Sequence, residues 1–268
     1  MNRKQFTLWL LIFKLLWLFG GTAYGIDYTR LDCRNGVCYL DSDEWLDQQV
    51  ESAVASKPHP AVCRIATRDR DGASSYGTGT LIETNDDGKG LVLTASHVVR
   101  DASSVVCLFA NGQQQGAKVL EVDRTWDLAV LMIYAPRNVE PVEIMSTPPA
   151  TGESLWIAGY GGTSERYAQQ GGRLVSHSAP ARNLPYEFIN VEGCAARQGD
   201  SGGPIFNAQY QLAGCLWGSN KQYRRTVGCH CRPIQRLLQR IRARRGKQGH
   251  GATQQPATRP AAPPAAQV

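Results

Sequence analysis

The sequence predicts an all-β chain, with two six-stranded antiparallel β-barrels in succession and one C-terminal helix. Three observations predict it. From Ala61 to about Val227 the chain breaks into short runs rich in Val, Leu, Ile and Thr, each bounded by Gly, Asn, Asp or Pro, which is the punctuation of short strands joined by turns. The runs fall into two groups of about six, an arrangement that suits a pair of barrels and not a parallel sheet. A helical period follows both groups, where Ile234, Leu237, Leu238 and Ile241 recur at i, i+3, i+4 and i+7.

The elements follow in chain order. Asn2, Arg3 and Lys4 precede an apolar stretch from Phe6 to Gly21, and Ala23-Tyr24-Gly25 has the small-residue spacing of a signal-peptidase site. Residues 1–25 are therefore expected to be a signal peptide, with a mature chain that starts near Ile26 and is secreted or periplasmic. The rival is a retained anchor, but the stretch is short of the roughly 20 apolar residues that a span needs, and Lys14 interrupts it. Residues 26–58 read as an N-terminal extension. In it Cys33 and Cys38 flank a hairpin turn, and a short helix runs from Glu44 to Ala55 before Lys57-Pro58-His59-Pro60. The first strand group is Ala61–Thr67, Gly77–Glu83, Gly90–Thr94, Ser104–Phe109, Ala117–Val122 and Leu128–Tyr134. The second is Ser154–Ala158, Arg173–Ser178, Phe188–Val191, Pro204–Phe206, Gln211–Trp217 and Arg225–Cys229. Pro233 then opens the amphipathic helix, which should dock on the second barrel. Residues 246–268 are Gln, Ala, Pro and Thr without periodicity and are expected to be disordered.

Export would place the eight cysteines where disulfides persist. Pairing is expected, but the connectivity stays open among roughly a hundred combinations. Cys63, Cys107, Cys194 and Cys215 fall in strands. Cys229-His230-Cys231 with Cys33 and Cys38 offers zinc-ligand chemistry, yet an oxidising compartment favours disulfides, so no metal is assigned. The net charge of +6 hides an asymmetry, since eleven Lys or Arg and no acidic residue follow Ser201. Arg236, Arg240 and Arg244 recur at helical spacing. They suit either an anionic polymer or lipid surface or a solvated helix face. No aromatic residue interleaves with them, which favours the solvated face and argues against nucleic acid as a partner.

The chemistry concentrates in Gly199-Asp200-Ser201-Gly202-Gly203-Pro204. Glycines on both sides of a serine let main-chain N–H groups converge on one point, as an oxyanion hole requires. The run also fits the G-x-S-x-G elbow of an unrelated fold, in which the acid and then the histidine follow the serine. No Asp or Glu follows Asp200, so that fold would have no acid. The candidates instead run His97, Asp127, Ser201. A serine hydroxyl needs a neutral imidazole to take its proton, and the imidazole needs a carboxylate on its other nitrogen to fix the tautomer. Each residue alone is compatible with a bland role: a core histidine, a strand-end cap, a turn serine. His59 between prolines, His177 on a strand and His250 near the C-terminus are weaker candidates for the base.

Thr94-Ala95-Ser96-His97, Trp126-Asp127-Leu128-Ala129-Val130-Leu131 and the serine run resemble the three signature blocks of trypsin-like (chymotrypsin-fold) serine proteases. The likeness covers residues 59–245. Gly77-Thr78-Gly79-Thr80-Leu81-Ile82 is similar to the strand before the histidine block, and Leu216-Trp217-Gly218-Ser219 to the strand beside which substrates lie. The resemblance implies a chymotrypsin-like fold and a serine endopeptidase that acts on protein or peptide substrates through an acyl-enzyme, without a cofactor. It implies oxyanion donors at the N–H groups of Gly199 and Ser201. Where members specific for Lys or Arg carry an Asp, six residues before the serine, this chain has Ala195. With Ala196, Trp217, Gly218 and Gly228 this implies an apolar pocket, and His230 either lines it or has a structural role.

The pattern looks most like bacterial trypsin-like and Deg-type peptidases, here without a PDZ domain. It departs from members activated by cleavage, in which a freed Ile or Val amino terminus pairs with the Asp before the serine. No Ile-Val-Gly-Gly segment follows a basic residue before Ala61, so Asp200 is expected to have another partner. A catalytically silent binding protein and an esterase using the same nucleophile remain the alternative readings. Oligomeric state is not legible.

Overall fold

The structure, a computed structural model, describes residues 57–162, 166–179, 183–220 and 225–250, and the backbone of 31–34 and 37–40. The expected signal peptide, the 44–55 helix and the segment beyond residue 250 lie outside the described residues. Strands β1 (Leu31–Arg34) and β2 (Val37–Leu40) form a hairpin whose register sets Cys33 opposite Cys38. This hairpin belongs to a separate compact unit.

The first half of the main unit is an antiparallel sheet of β3 (Val62–Asp69), β4 (Ser74–Thr84), β5 (Lys89–Ala95), β6 (Ala102–Phe109), β7 (Gln114–Gly116), β8 (Lys118–Asp123) and β9 (Leu128–Tyr134). One helical turn, α1 (Ser96–Val99), follows β5. The ladder order is β7-β6-β3-β4-β5-β9-β8. Only Ala117 separates β7 from β8, and its N–H bonds to Val105 O at 2.9 Å. One bent strand therefore supplies both edges of the sheet, β7 lying on β6 and β8 on β9. This curls the sheet round on itself without closing it into a barrel. The apolar alternation of the sequence marks the inward face, with Ile65, Leu81, Leu93 and Leu131 almost fully buried.

The second half is a closed barrel in the order β10-β11-β12-β15-β14-β13. Its strands are β10 (Ser154–Gly159), β11 (Ala168–Ser178), β12 (Phe188–Glu192), β13 (Pro204–Phe206), β14 (Leu212–Asn220) and β15 (Arg225–His230). Leu155, Ile157, Leu174, Ile189, Val191, Ile205 and Leu216 fill its interior. Strand β11 is longer than the sequence suggests. Its first half, Ala168–Arg173, pairs with β10 and its second half with β12, so Gly171 and Gly172 lie just before Arg173, where the strand passes from one neighbour to the other. A Cβ at Gly172 would lie 2.5 Å from Glu192 O.

The C-terminal helix α2 (Cys231–His250) begins two residues before Pro233 and continues past Gly246. Ile234, Leu237, Leu238 and Ile241 are buried in the core cluster that also holds Leu131 and Phe206. The helix contacts β14 and β15 of the closed barrel and β8 of the curled sheet. Four of its six arginines are in ion pairs. Arg236 pairs with Glu187, Arg240 with Asp123 at 2.6 Å, Arg242 with Glu83 at 2.6 Å and Arg244 with Glu121. The basic face is thus spent largely on acids of the protein itself. No helix among the described residues is long and apolar enough to cross a membrane.

Candidate active site

Strand β5 ends at Thr94-Ala95 and hands His97 to the single turn of α1. Its partner β9 starts at Leu128, directly opposite Ala95, so the residue before β9 faces the histidine turn. That residue is Asp127, held at φ +50°, a left-handed conformation that Asp tolerates better than most side chains. Asp127 grips the turn three times. Its carbonyl accepts from Ser96 N (3.0 Å), Oδ1 accepts from His97 N (3.0 Å), and Oδ2 lies 2.5 Å from His97 Nδ1. A carboxylate on Nδ1 selects the Nδ1–H tautomer and leaves Nε2 as the proton acceptor. One turn back, Asp123 Oδ1 accepts from Thr125 N and Trp126 N, while Arg240 of α2 holds its Oδ2.

The serine turn is built from the second half of the chain. Gly199 (φ +95°) and Gly202 (φ +82°) occupy conformations that favour glycine. At Gly202 space compels the choice as well, because a Cβ would lie 2.2 Å from Thr94 Oγ1, 2.4 Å from Thr78 O and 2.6 Å from Ala95 N. Gly202 N donates to Leu216 O (3.0 Å) and Leu216 N to Gly203 O (2.9 Å). From the first half, Thr78 N donates to Ser201 O (2.9 Å) and Thr78 Oγ1 to Gly199 O (2.8 Å). Thr78 Oγ1 also accepts from Tyr160 N (3.0 Å). A Cβ at the neighbouring Gly77 would meet Val98 Cγ1 at 2.6 Å and Ser201 O at 3.2 Å. The histidine turn and the serine turn therefore sit on the same two residues of β4.

Asp200 has the other partner that the sequence left open. Its side chain and that of Arg197 are 4% and 3% exposed, and they form an ion pair at 2.9 Å. Among the remaining expected residues, Ala195 and Ala196 are buried. Gln170 clamps the main chain of Ala195, Nε2 donating to its carbonyl (2.9 Å) and Oε1 accepting from its N–H (3.3 Å), and Ala196 N donates to Thr226 Oγ1 (3.1 Å). Leu216 is 1% exposed, its backbone engaged by the serine turn. Trp217 is 46% exposed and stacks on Phe188 at 5.5 Å, and Phe188 meets Trp126 edge-on. No atom lies within 4 Å of where a Cβ would stand at Gly218, whereas at Gly228 it would meet Cys215 O at 2.3 Å. Gly218 is therefore open and Gly228 is an interior close approach.

His230 is buried. Its Nδ1 accepts from Arg232 N (3.3 Å) and its ring lies 6.0 Å from that of His177. Burial pushes its pKa down to about 4, against the opposing pull of Glu187. Arg236 in turn holds the Glu187 carboxyl below its ordinary range. Sequence reading missed Arg197, Thr78, Gln170 and Thr226. Only Arg197 carried a local signal, a cation three residues before Asp200. Among the described residues no three His, Cys, Asp or Glu side chains are grouped to hold a metal ion.

Comparison with known proteins completes the picture. The family model for the trypsin-like peptidase domain matches residues 77–214. Serine protease Do-like HtrA of Lactobacillus helveticus is 30% identical over 145 residues, 52% of this chain and 35% of that protein. A probable periplasmic serine endoprotease DegP-like of Brucella suis is 28% identical over 166 residues, 60% of this chain and 29% of that one. The chain thus spans about a third of the length of the curated relatives it matches. Among solved structures, a serine endoprotease from Yersinia pestis aligns with a TM-score of 0.58 at 21% identity, covering 73% of this chain and 66% of that one. The active form of the Rv3671c protease from M. tuberculosis aligns with a TM-score of 0.58 at 20% identity, covering 75% and 87%.

Proposed function

Because the chain belongs to the trypsin-like peptidase domain family, we propose that residues 59–245 are a serine endopeptidase domain in which His97, Asp127 and Ser201 act as a triad. The observation that carries the reading is the three-point grip of Asp127 on the histidine turn, on the same β4 residues that seat the serine turn. Ser201 Oγ attacks the scissile carbonyl while His97 Nε2 takes its proton. The oxygen that gains charge is bound by the N–H groups of Gly199 and Ser201, a contribution of about 3 kcal/mol per donor. His97 then gives the proton to the leaving amine, and a water repeats the cycle on the acyl-enzyme. Asp127 keeps the imidazole in place and stabilises its charged form.

An extended peptide lies along Leu216-Trp217-Gly218, where the shelf of Trp217 on Phe188 is exposed and Gly218 leaves the backbone open. The pocket beside Ser201 takes apolar side chains, since Ala195 offers no counter-ion to Lys or Arg. The protein is exported and acts outside the cytoplasm. There Cys63 and Cys107, buried on the neighbouring strands β3 and β6, give two electrons and two protons to a protein disulfide donor and form a bridge, read as a loss of 2 Da and two fewer titratable thiols.

Incubating the wild-type chain and Ser201→Ala with a fluorophosphonate probe and with casein tests the reading. The expected result is labelling and proteolysis that both vanish in Ser201→Ala. Absence of Ser201-dependent labelling leaves a silent binding protein, and labelling without proteolysis leaves an esterase or a narrow substrate range.

A further inference from the structure

We infer that Arg197 is the built-in counter-ion that holds the serine turn in working shape, so that the site is competent whatever the state of the amino terminus. The inference rests on the endopeptidase reading for its activity readout and on the structure alone for the rest. Asp200 lies between Gly199 and Ser201, the two residues whose N–H groups face the developing oxyanion. The turn is closed on itself, with Asp200 N donating to Arg197 O (3.0 Å) and Gly203 N to Asp200 O (2.9 Å), so a backbone shift at Asp200 turns the peptide plane that carries the Ser201 N–H. Its carboxylate has about four lone-pair positions, and the protein fills four. Oδ1 accepts from Gly161 N (2.7 Å) and Arg197 Nη2 (2.9 Å), and Oδ2 accepts from Arg197 N (2.7 Å) and Arg197 Nε (3.1 Å). No position remains for an outside ammonium group.

The guanidinium is anchored in its turn. Nη2 donates to Gly159 O (3.1 Å) and to Arg166 O (3.3 Å), so the serine turn is tied to the end of β10 and the segment that follows it. The backbone of that segment has made room for the carboxylate. A Cβ at Gly159 or Gly161 would stand 2.4 or 2.7 Å from Asp200 Oδ1. Removing one partner of a buried pair leaves an uncompensated charge, and a backbone turn at Asp200 that brings the carboxylate to water also turns the adjoining peptide that carries the Ser201 N–H. Arg197 touches no substrate in this scheme. It is a positioning residue that acts through Asp200.

The test uses the full chain as wild type, Arg197→Met, Arg197→Lys and Arg197→Gly. It reads the fluorophosphonate labelling rate of Ser201 and hydrogen exchange across 195–203 and the barrel strands. In Arg197→Met the labelling rate should fall about 10²–10³-fold, the size of losing an oxyanion donor, with faster exchange confined to 195–203. Arg197→Lys should recover part of the rate. Guanidinium ion should restore Arg197→Gly at least tenfold (order of magnitude) where equal sodium chloride does not, because it can refill the same planar, two-toothed site. Acetylating the wild-type amino terminus should change nothing.

The inference is overturned if Arg197→Met labels within about threefold of wild type, since a lost donor costs far more. It also fails if exchange rises equally over the whole barrel and guanidinium rescues nothing, which would make the pair merely structural. A wild-type chain that never labels defeats the endopeptidase reading, and the exchange comparison still decides the strut.

Discussion

Replacing Gly202 by Ala separates two costs that glycine hides at the serine turn. The first is conformational: at φ +82° an L side chain costs roughly 1–2 kcal/mol. The second is steric. The new Cβ would lie 2.2 Å from Thr94 Oγ1, 2.4 Å from Thr78 O and 2.6 Å from Ala95 N, and two of these three atoms are backbone in paired strands that cannot step aside. Overpacking of this kind adds about 1–3 kcal/mol, for a total of about 2–5 kcal/mol. For a domain of this size that is a fall of roughly 4–20 °C in Tm. Gly72 provides the control, with φ +87° and nothing within 4 Å of its would-be Cβ. Gly72→Ala should lose only the conformational part, about 2–8 °C by the same conversion, and keep Ser201 labelling. Differential scanning calorimetry of both variants gives the answer. A Gly202→Ala loss no larger than that of Gly72→Ala would show that the turn has room to move and would refute the close-contact argument.

Two further outcomes follow from buried polar groups. His230, with its folded pKa near 4 against 6.5 unfolded, makes the unfolded state the better proton binder between those values. Stability should therefore fall as pH drops from about 6.5 to 4, by roughly 1.4 kcal/mol per unit and about 3 kcal/mol in all, with no contribution above that window. Urea melts at stepped pH should show this slope reduced in His230→Gln, and a flat wild-type profile from pH 7 to 5 would contradict it. Thr78→Val removes the hydroxyl that joins Gly199 O to Tyr160 N and strands two main-chain groups, at about 1–3 kcal/mol each. Thr78→Ser should keep both bonds and the labelling rate, and equal loss in both variants would point to packing instead.

The strands were legible because each needs only local alternation and a turn at either end, and Leu128–Tyr134 and Pro204–Phe206 have the predicted limits. The first half of β11 was not. Gln169-Gln170-Gly171-Gly172 has no strand propensity, and its conformation is imposed by β10 on one side. The three blocks around His97, Asp127 and Ser201 stood out because the chemistry needs particular neighbours within a few residues. Thr78 was invisible for the opposite reason, since its contact with Gly199 spans 121 positions and a threonine in a strand announces nothing. The arginines of α2 read as a solvated face because nothing near them in sequence is acidic. Their partners Glu83, Glu121 and Asp123 come from the far end of the chain.

The same arginines put a constraint on biosynthesis. The ion pairs of Arg240, Arg244 and Arg242 close loops of 117, 123 and 159 residues, and loops of such length close late and slowly. A ribosome that has released His97 and Asp127 has not yet released the helix that braces the turn beneath Asp127. The chain therefore emerges with the proposed acid and base already made but without that brace, and the order of synthesis itself delays the assembly of the proposed site.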